Sequence, residues 1–195
     1  MRHAGRRREA ERRDLRGFFT GVLGYELLDL SLQPGICELT GSLVIDRARG
    51  VGYCGLSERC DATGAHAMAA AFGLRGMLVF ELAAGEYHTN VVMSVLAGRA
   101  LVVAPQGFAD PRVAASIATL YPHVVQLDPG AKAAFAGNCI AIGPQRVWFS
   151  DRAARALDAR QLGLLAAAGF EVGRVDLDEI EKAGGSLRCC IGEIY

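Results

Sequence analysis

LTGSLVIDRARGVGYCGLS, residues 39–57, decides the fold. Two apolar, β-branched runs flank a polar segment, so the stretch reads as two strands joined by a turn at Arg47–Gly50. Just downstream, residues 61–74 are alanine-rich and helical. MLVFEL, residues 77–82, then reads as a short buried strand. The unit is strand, strand, helix, strand. It recurs. NVVMSVL (90–96) and RALVVAP (99–105) form a pair split at Ala97–Gly98, followed by a helix over 110–120 and the strand HVVQLD (123–128). NCIAIG (138–143) and RVWFS (146–150) form the next pair, followed by a helix over 151–168 and the strand FEVGRVDL (170–177). A repeat of about 50 residues indicates stacked or radially arranged modules, and an ordinary α+β sheet is the alternative.

Four segments begin just after a short polar or glycine turn: CELTGSLVID (37–46), YHTNVVMSVL (87–96), AGNCIAIG (136–143) and GGSLRCCIGEI (184–194). In a radial repeat, equivalent strands converge on one axis. Residues at their starts could therefore share a central site. Outside the repeats, Leu15, Phe18, Phe19, Val22 and Leu23 fall on one helical face, with Gly24 as a stop. YELLDLSL (25–32) alternates like a strand, 178–182 reads as a helical turn, and SLRCCIGEI (186–194) closes the chain as a strand.

The composition agrees with one folded domain over residues 1–195. Lysine plus arginine equals aspartate plus glutamate at 21 each, and 51% of residues are apolar. This excludes a disordered charged tail and gives no reason to expect a nucleic-acid partner. The 24 glycines form no collagen-like repeat. Seven arginines between Arg2 and Arg16 are interspersed with Glu9, Glu11 and Asp14. They read as a solvated helix face, with a basic anchor as the alternative. No apolar run reaches membrane-spanning length, so no membrane partner is expected. The six cysteines show no CxxC spacing and read as reduced thiols of a cytoplasmic protein.

Among residues able to carry chemistry, Cys37, Cys54 and Cys139 read as small buried hydrophobes. Cys189 differs, because Gly184, Gly185 and Ser186 precede it and Arg188 could favour its thiolate. On a strand, Cys190 must face the other way. His88 at a strand start is either a structural histidine or a general base, and Glu38 is a solvated acid or its partner. A cysteine, a histidine and an acid on separate strand starts suffice for nucleophilic catalysis.

The segments ELTGSLVIDRARGVGYCGLSERCD (38–61), YHTNVVMSV (87–95), GNCIAIG (137–143) and EKAGGSLRCCIGEI (181–194) resemble the guanidino-group-modifying enzyme superfamily. This group contains amidinotransferases, arginine deiminases and dimethylarginine dimethylaminohydrolases. The resemblance is strongest to its amidinotransferase-like, citrulline-utilising hydrolase branch, and it runs from about Arg7 to Tyr195.

The resemblance implies a pentein-type α/β-propeller of strand-strand-helix-strand modules around a substrate channel. The chain begins about where the family has an arginine-rich helix, here RRREAERR (6–13), so the propeller is expected to be incomplete at the N-terminus. Cys189 maps to the family's nucleophile, His88 to its histidine and Glu38 to the acid that orients the histidine. Arg59 maps to a holder of the substrate carboxylate. Asn90 stands where arginine deiminases place a guanidinium-binding aspartate, which suits a neutral ureido group. Ser186 belongs to the glycine-glycine-serine motif and is taken as substrate-binding. Leu39 replaces a family glycine, and Cys60 replaces a threonine.

The implied function is hydrolysis of a linear ureido or guanidino C–N bond in a citrulline- or arginine-like amino acid, through a covalent cysteine intermediate. An amidinotransferase, and a truncated inactive amino-acid-binding homologue, are the alternatives. No metal or organic cofactor is implied. The expected partner is the small-molecule substrate, and a homo-oligomer is left open.

Overall fold

The computed structural model describes residues 15–194. Its nine strands among the described residues form three three-stranded sheets of identical topology. The first contains β1 (Leu43–Asp46), β2 (Val51–Leu56) and β3 (Gly76–Glu81). The second contains β4 (Met93–Leu96), β5 (Ala100–Val103) and β6 (His123–Gln126). The third contains β7 (Ile140–Ala141), β8 (Arg146–Ser150) and β9 (Glu171–Val175). In each sheet the first two strands pair antiparallel as a hairpin. A helical crossover then returns the third strand parallel to the second. This is the strand-strand-helix-strand module of the sequence, three times over.

The crossover helices start where their capping residues put them. Asp61 caps Ala62–Ala71, and Asp110 caps Pro111–Ala118 with proline in the first turn. The third crossover is not one helix over 151–168. It breaks into Asp151–Arg155 and Ala159–Ala167, because Asp158 and Gln161 form a capping box that starts a new helix. A further short helix, Pro129–Ala133, follows the Asp128 cap.

The central strands are the most buried: every residue of β5 is in the core. The apolar core falls into three clusters: one around Met68 lies within the first module, Tyr53 and Phe80 of the first join Leu101 of the second, and Leu96, Val102 and Val125 of the second join Phe149 of the third. First strands lie beside first strands, β1 against β4 and β4 against β7, and polar clasps join them. The Thr89 hydroxyl donates to the Ser42 carbonyl at 2.5 Å and accepts from Gly55 N at 2.7 Å. Ser94 Oγ lies 2.8 Å from the carbonyls of Gly137 and of Cys139. Arg49 bonds Asp46 at 2.7 Å, crosses to the carbonyls of Gly98 and Leu120, and lies over the Tyr121 ring.

Two further sequence expectations are corrected. Residues 25–32 form no strand. They run as irregular chain with Leu28 and Leu32 exposed, so the alternation has no partner strand among the described residues. The helix expected over 15–23 is present, but its apolar face is not buried. Leu15, Phe18, Val22 and Leu23 are exposed, and a π-helical turn, Phe18–Val22, precedes Gly24 at φ +69°. Residues 186–194 are not a strand: Leu187–Cys190 is a 3₁₀ turn, because Gly184 and Gly185 at φ +85° and +83° swing the chain off the strand path. The arginine-rich helix expected over 6–13 lies outside the described residues.

Candidate active site

Glu38 and His88 occupy equivalent places in successive modules. Each is the N-cap of a single helical turn, Leu39–Ser42 and Thr89–Val92, that leads directly into a first strand. The turns pack together, and His88 Nε2 meets Glu38 Oε2 at 2.8 Å. Gly41 lies against the imidazole: a Cβ there would come within 2.6 Å of ring atoms, so only glycine lets the two turns approach.

Both side chains of the pair are largely buried. Burial opposes the Glu38 charge, but His88, and after it Arg59, hold the carboxyl below its ordinary 4.5. Burial pulls His88 below 6.5, with Glu38 acting the other way and Arg59 adding to the fall. Glu38 thus ionises first, and His88 rests as neutral imidazole at pH 7. The buried Nδ1 atom of His88 has no hydrogen-bond partner among the described residues. It is the atom left for a proton-transfer partner.

Cys189 comes to the same place from the far end of the chain. Gly185 lets the backbone fold tightly, since a Cβ there would sit 3.3 Å from Cys189 Sγ. Asn138 clasps the cysteine from two sides. Its Oδ1 accepts from Cys189 N at 3.3 Å, and its Nδ2 lies 3.3 Å from Cys189 Sγ. The same Nδ2 donates to the Asn90 carbonyl at 2.8 Å. Asn90 Oδ1 in turn lies 3.6 Å from Cys189 Sγ, and its Nδ2 donates to the Thr40 carbonyl. Cys190 points elsewhere, toward the Ser186 carbonyl, and burial followed by the nearby Cys189 raises its pKa. Cys139 is fully buried, and its thiol is pushed up to about 12.

A cleft of about 240 Å³ is lined by Glu38, Leu39, His88, Asn90, Arg188 and Cys189, with Cys37 and Ile191 among its walls. Two other candidates lie off it. Arg59 turns its guanidinium onto Glu38 Oε2 at 3.3 Å, the oxygen that also holds His88, and stacks on Tyr87 at 4.7 Å. It lines a neighbouring depression with Glu58 and Glu86. Ser186 is buried, and its hydroxyl donates to Glu181 at 2.6 Å. Among the described residues, no group of histidine, cysteine and acidic side chains is arranged to hold a metal, and no helix is long and apolar enough to cross a membrane.

Over its whole length, residues 1–195, the chain matches the family model described as N,N dimethylarginine dimethylhydrolase, eukaryotic. The chain belongs to this family. It is thereby a member of the guanidino-group-modifying superfamily, and its three modules are those of the pentein fold. A relative in Mycobacterium tuberculosis (strain ATCC 25618 / H37Rv), N(G),N(G)-dimethylarginine dimethylaminohydrolase, is 29% identical over 112 residues. The match takes in 56% of this chain and 34% of the relative, so the chain spans about a third of that protein.

Two solved structures share the fold. The substrate-bound N-terminal domain of ArgZ, a cyanobacterial arginine dihydrolase, superposes with a TM-score of 0.78 at 21% identity, covering 96% of this chain and 66% of that one. SxtG, an amidinotransferase from Microseira wollei, does so with a TM-score of 0.59 at 15% identity, covering 76% and 45%.

Asn138 is the site residue that the sequence reading passed over. Its signal was present: an asparagine at the head of the apolar run NCIAIG must bury its amide, and a buried amide needs fixed partners.

Proposed function

We propose that this chain carries the catalytic residues of a hydrolase that cleaves a C–N bond of a linear guanidino or ureido amino acid through a covalent intermediate on Cys189. The observation that carries the reading is one cleft lined by Cys189 and by a His88 already oriented by Glu38. Membership of a dimethylarginine-hydrolase family makes a guanidino group the first substrate to test.

In this reading the Cys189 thiol passes its proton to neutral His88, and the thiolate attacks the central guanidino carbon. The imidazolium protonates the leaving amine, and an S-linked thiouronium remains. His88 then takes a proton from water. The hydroxide adds to the carbon, the C–S bond breaks, and a ureido product leaves with Cys189 free again. Glu38 keeps the imidazole oriented and favours its charged form in both halves. Asn138 and Asn90 hold the sulfur where it attacks.

The test is turnover of N-methylated arginine, arginine and citrulline, read as released amine or ammonia. Intact mass after rapid acid quench would reveal the adduct. Cys189→Ala is expected to lose activity by about 1,000-fold or more, whereas Cys190→Ala keeps it within about threefold. Equal losses, or an adduct mapped to another cysteine, would overturn the assignment.

A further inference from the structure

Three of the six cysteines lie together beneath the cleft. Cys60 Sγ is 3.4 Å from Cys37 Sγ and 3.5 Å from Cys54 Sγ. All three are buried in the first module's core, and Cys37 forms part of the cleft wall. The proposed reaction uses none of them.

The backbone around two of them has a specific geometry. Cys37 and Cys60 face each other across an isolated antiparallel bridge. The bonds on either side are Glu38 N to Arg59 O at 3.1 Å and Asp61 N to Ile36 O at 2.9 Å. Neither cysteine bonds the other's backbone, so they form a non-hydrogen-bonded pair, in which Cα atoms lie roughly 4.5 Å apart and side chains are closest. A disulfide spans Cα separations of about 4.4–6.8 Å. Cys37 and Cys60 therefore reach one another by side-chain rotation alone, at the short end of that range. A disulfide formed there can be opened again by thiol–disulfide exchange. Cys54 has no such opposition to Cys60. It supplies a third thiol within exchange distance.

We propose that Cys37 and Cys60 are a reversible disulfide modification site, oxidised by a peroxide that enters through the cleft and reset by a dithiol. One thiolate displaces hydroxide from hydrogen peroxide and becomes a sulfenic acid. The second thiol attacks that sulfur and expels water. Two S–H bonds are replaced by one S–S bond, the peroxide is reduced, and in all two waters leave. A dithiol reverses the step by two exchanges and is itself oxidised. The bond sits between Glu38 and Arg59, one residue from each, so it ties together the two segments that orient His88.

The site is tested on the full chain by mass, without recourse to activity, so the outcome is separate from that of the proposed reaction. Trypsin cleaves after Arg16, Arg47, Arg49, Arg59 and Arg75, which puts Cys37, Cys54 and Cys60 on the separate peptides 17–47, 50–59 and 60–75. After limiting peroxide, the non-reduced digest is expected to contain 17–47 linked to 60–75, two hydrogens lighter than the sum, and to lose it on dithiothreitol treatment. Cys54→Ser should keep the link and Cys60→Ser should remove it. A link made only through peptide 50–59 would overturn the proposal, and so would peroxide oxidation confined to Cys189 and Cys190.

Discussion

Leu39 carries a backbone φ of +43° beside Glu38. A side chain in the left-handed region costs about 1–2 kcal/mol through the clash of Cβ with the following carbonyl. Leu39→Gly relieves that strain and gives back roughly 0.5–1 kcal/mol in unfolded-chain entropy. The expected net is stabilisation of up to about 1 kcal/mol, read as a higher urea midpoint at unchanged slope. A lower midpoint would mean that the half-exposed side chain contributes more by packing than its backbone costs. At this scale the sequence was partly legible. Residue types at the strand starts pointed to a shared site, and Glu38, His88, Asn90 and Cys189 line one cleft. Which atom faces which was not legible. Ser186 turns to Glu181 and Arg59 turns to Glu38, and both choices depend on partners distant in sequence or hidden by a turn.

The elements that set the site are single helical turns, and the sequence hid them. Val91 and Val92 are β-branched and extend the strand pattern of NVVMSVL backwards to Asn90. Tertiary bonds override that preference, because Thr89 is held by Ser42 and Gly55 of the preceding module. The result is a turn that lifts His88 over Gly41. Gly41→Ala tests this packing. The added methyl meets the imidazole face at 2.6 Å, so the ring must tilt and its bond to Glu38 must lengthen. The expected outcome is destabilisation of about 1–3 kcal/mol, as for other overpacked sites. The His88 ring-proton titration is expected to fall further below 6.5, because Glu38 is the group holding it up. An unchanged titration would show that the ring is free to move without losing its carboxylate.

At the scale of the molecule, the repeated order of elements was legible because each module's hairpin, crossover and third strand leave their own pattern in the chain. The joints between modules were not. They combine apolar clusters shared between neighbouring modules with polar side chains such as Arg49 and Ser94, whose partners lie in the next sheet. The buried pair at one of these joints ties stability to pH. His88 has its pKa lowered from 6.5 by burial, so the unfolded chain binds a proton that the native state resists. Its contribution is complete above pH 6.5 and is lost as pH falls through the folded value. Glu38 is lowered from 4.5, so its contribution is complete above 4.5 and is lost at still lower pH. Both act in one direction. Stability should be level from about pH 7 upward, as far as these groups decide it. It should then decline in two stages, each with a slope of at most about 1.4 kcal/mol per pH unit for one proton. Urea denaturation from pH 8 down to about pH 2 measures the profile. His88→Gln should remove the upper stage and also shrink the lower one, because His88 is the main group holding the Glu38 carboxyl down. A wild-type profile with no decline between pH 6.5 and 5 would mean that the buried imidazole is protonated as readily in the fold as in the open chain.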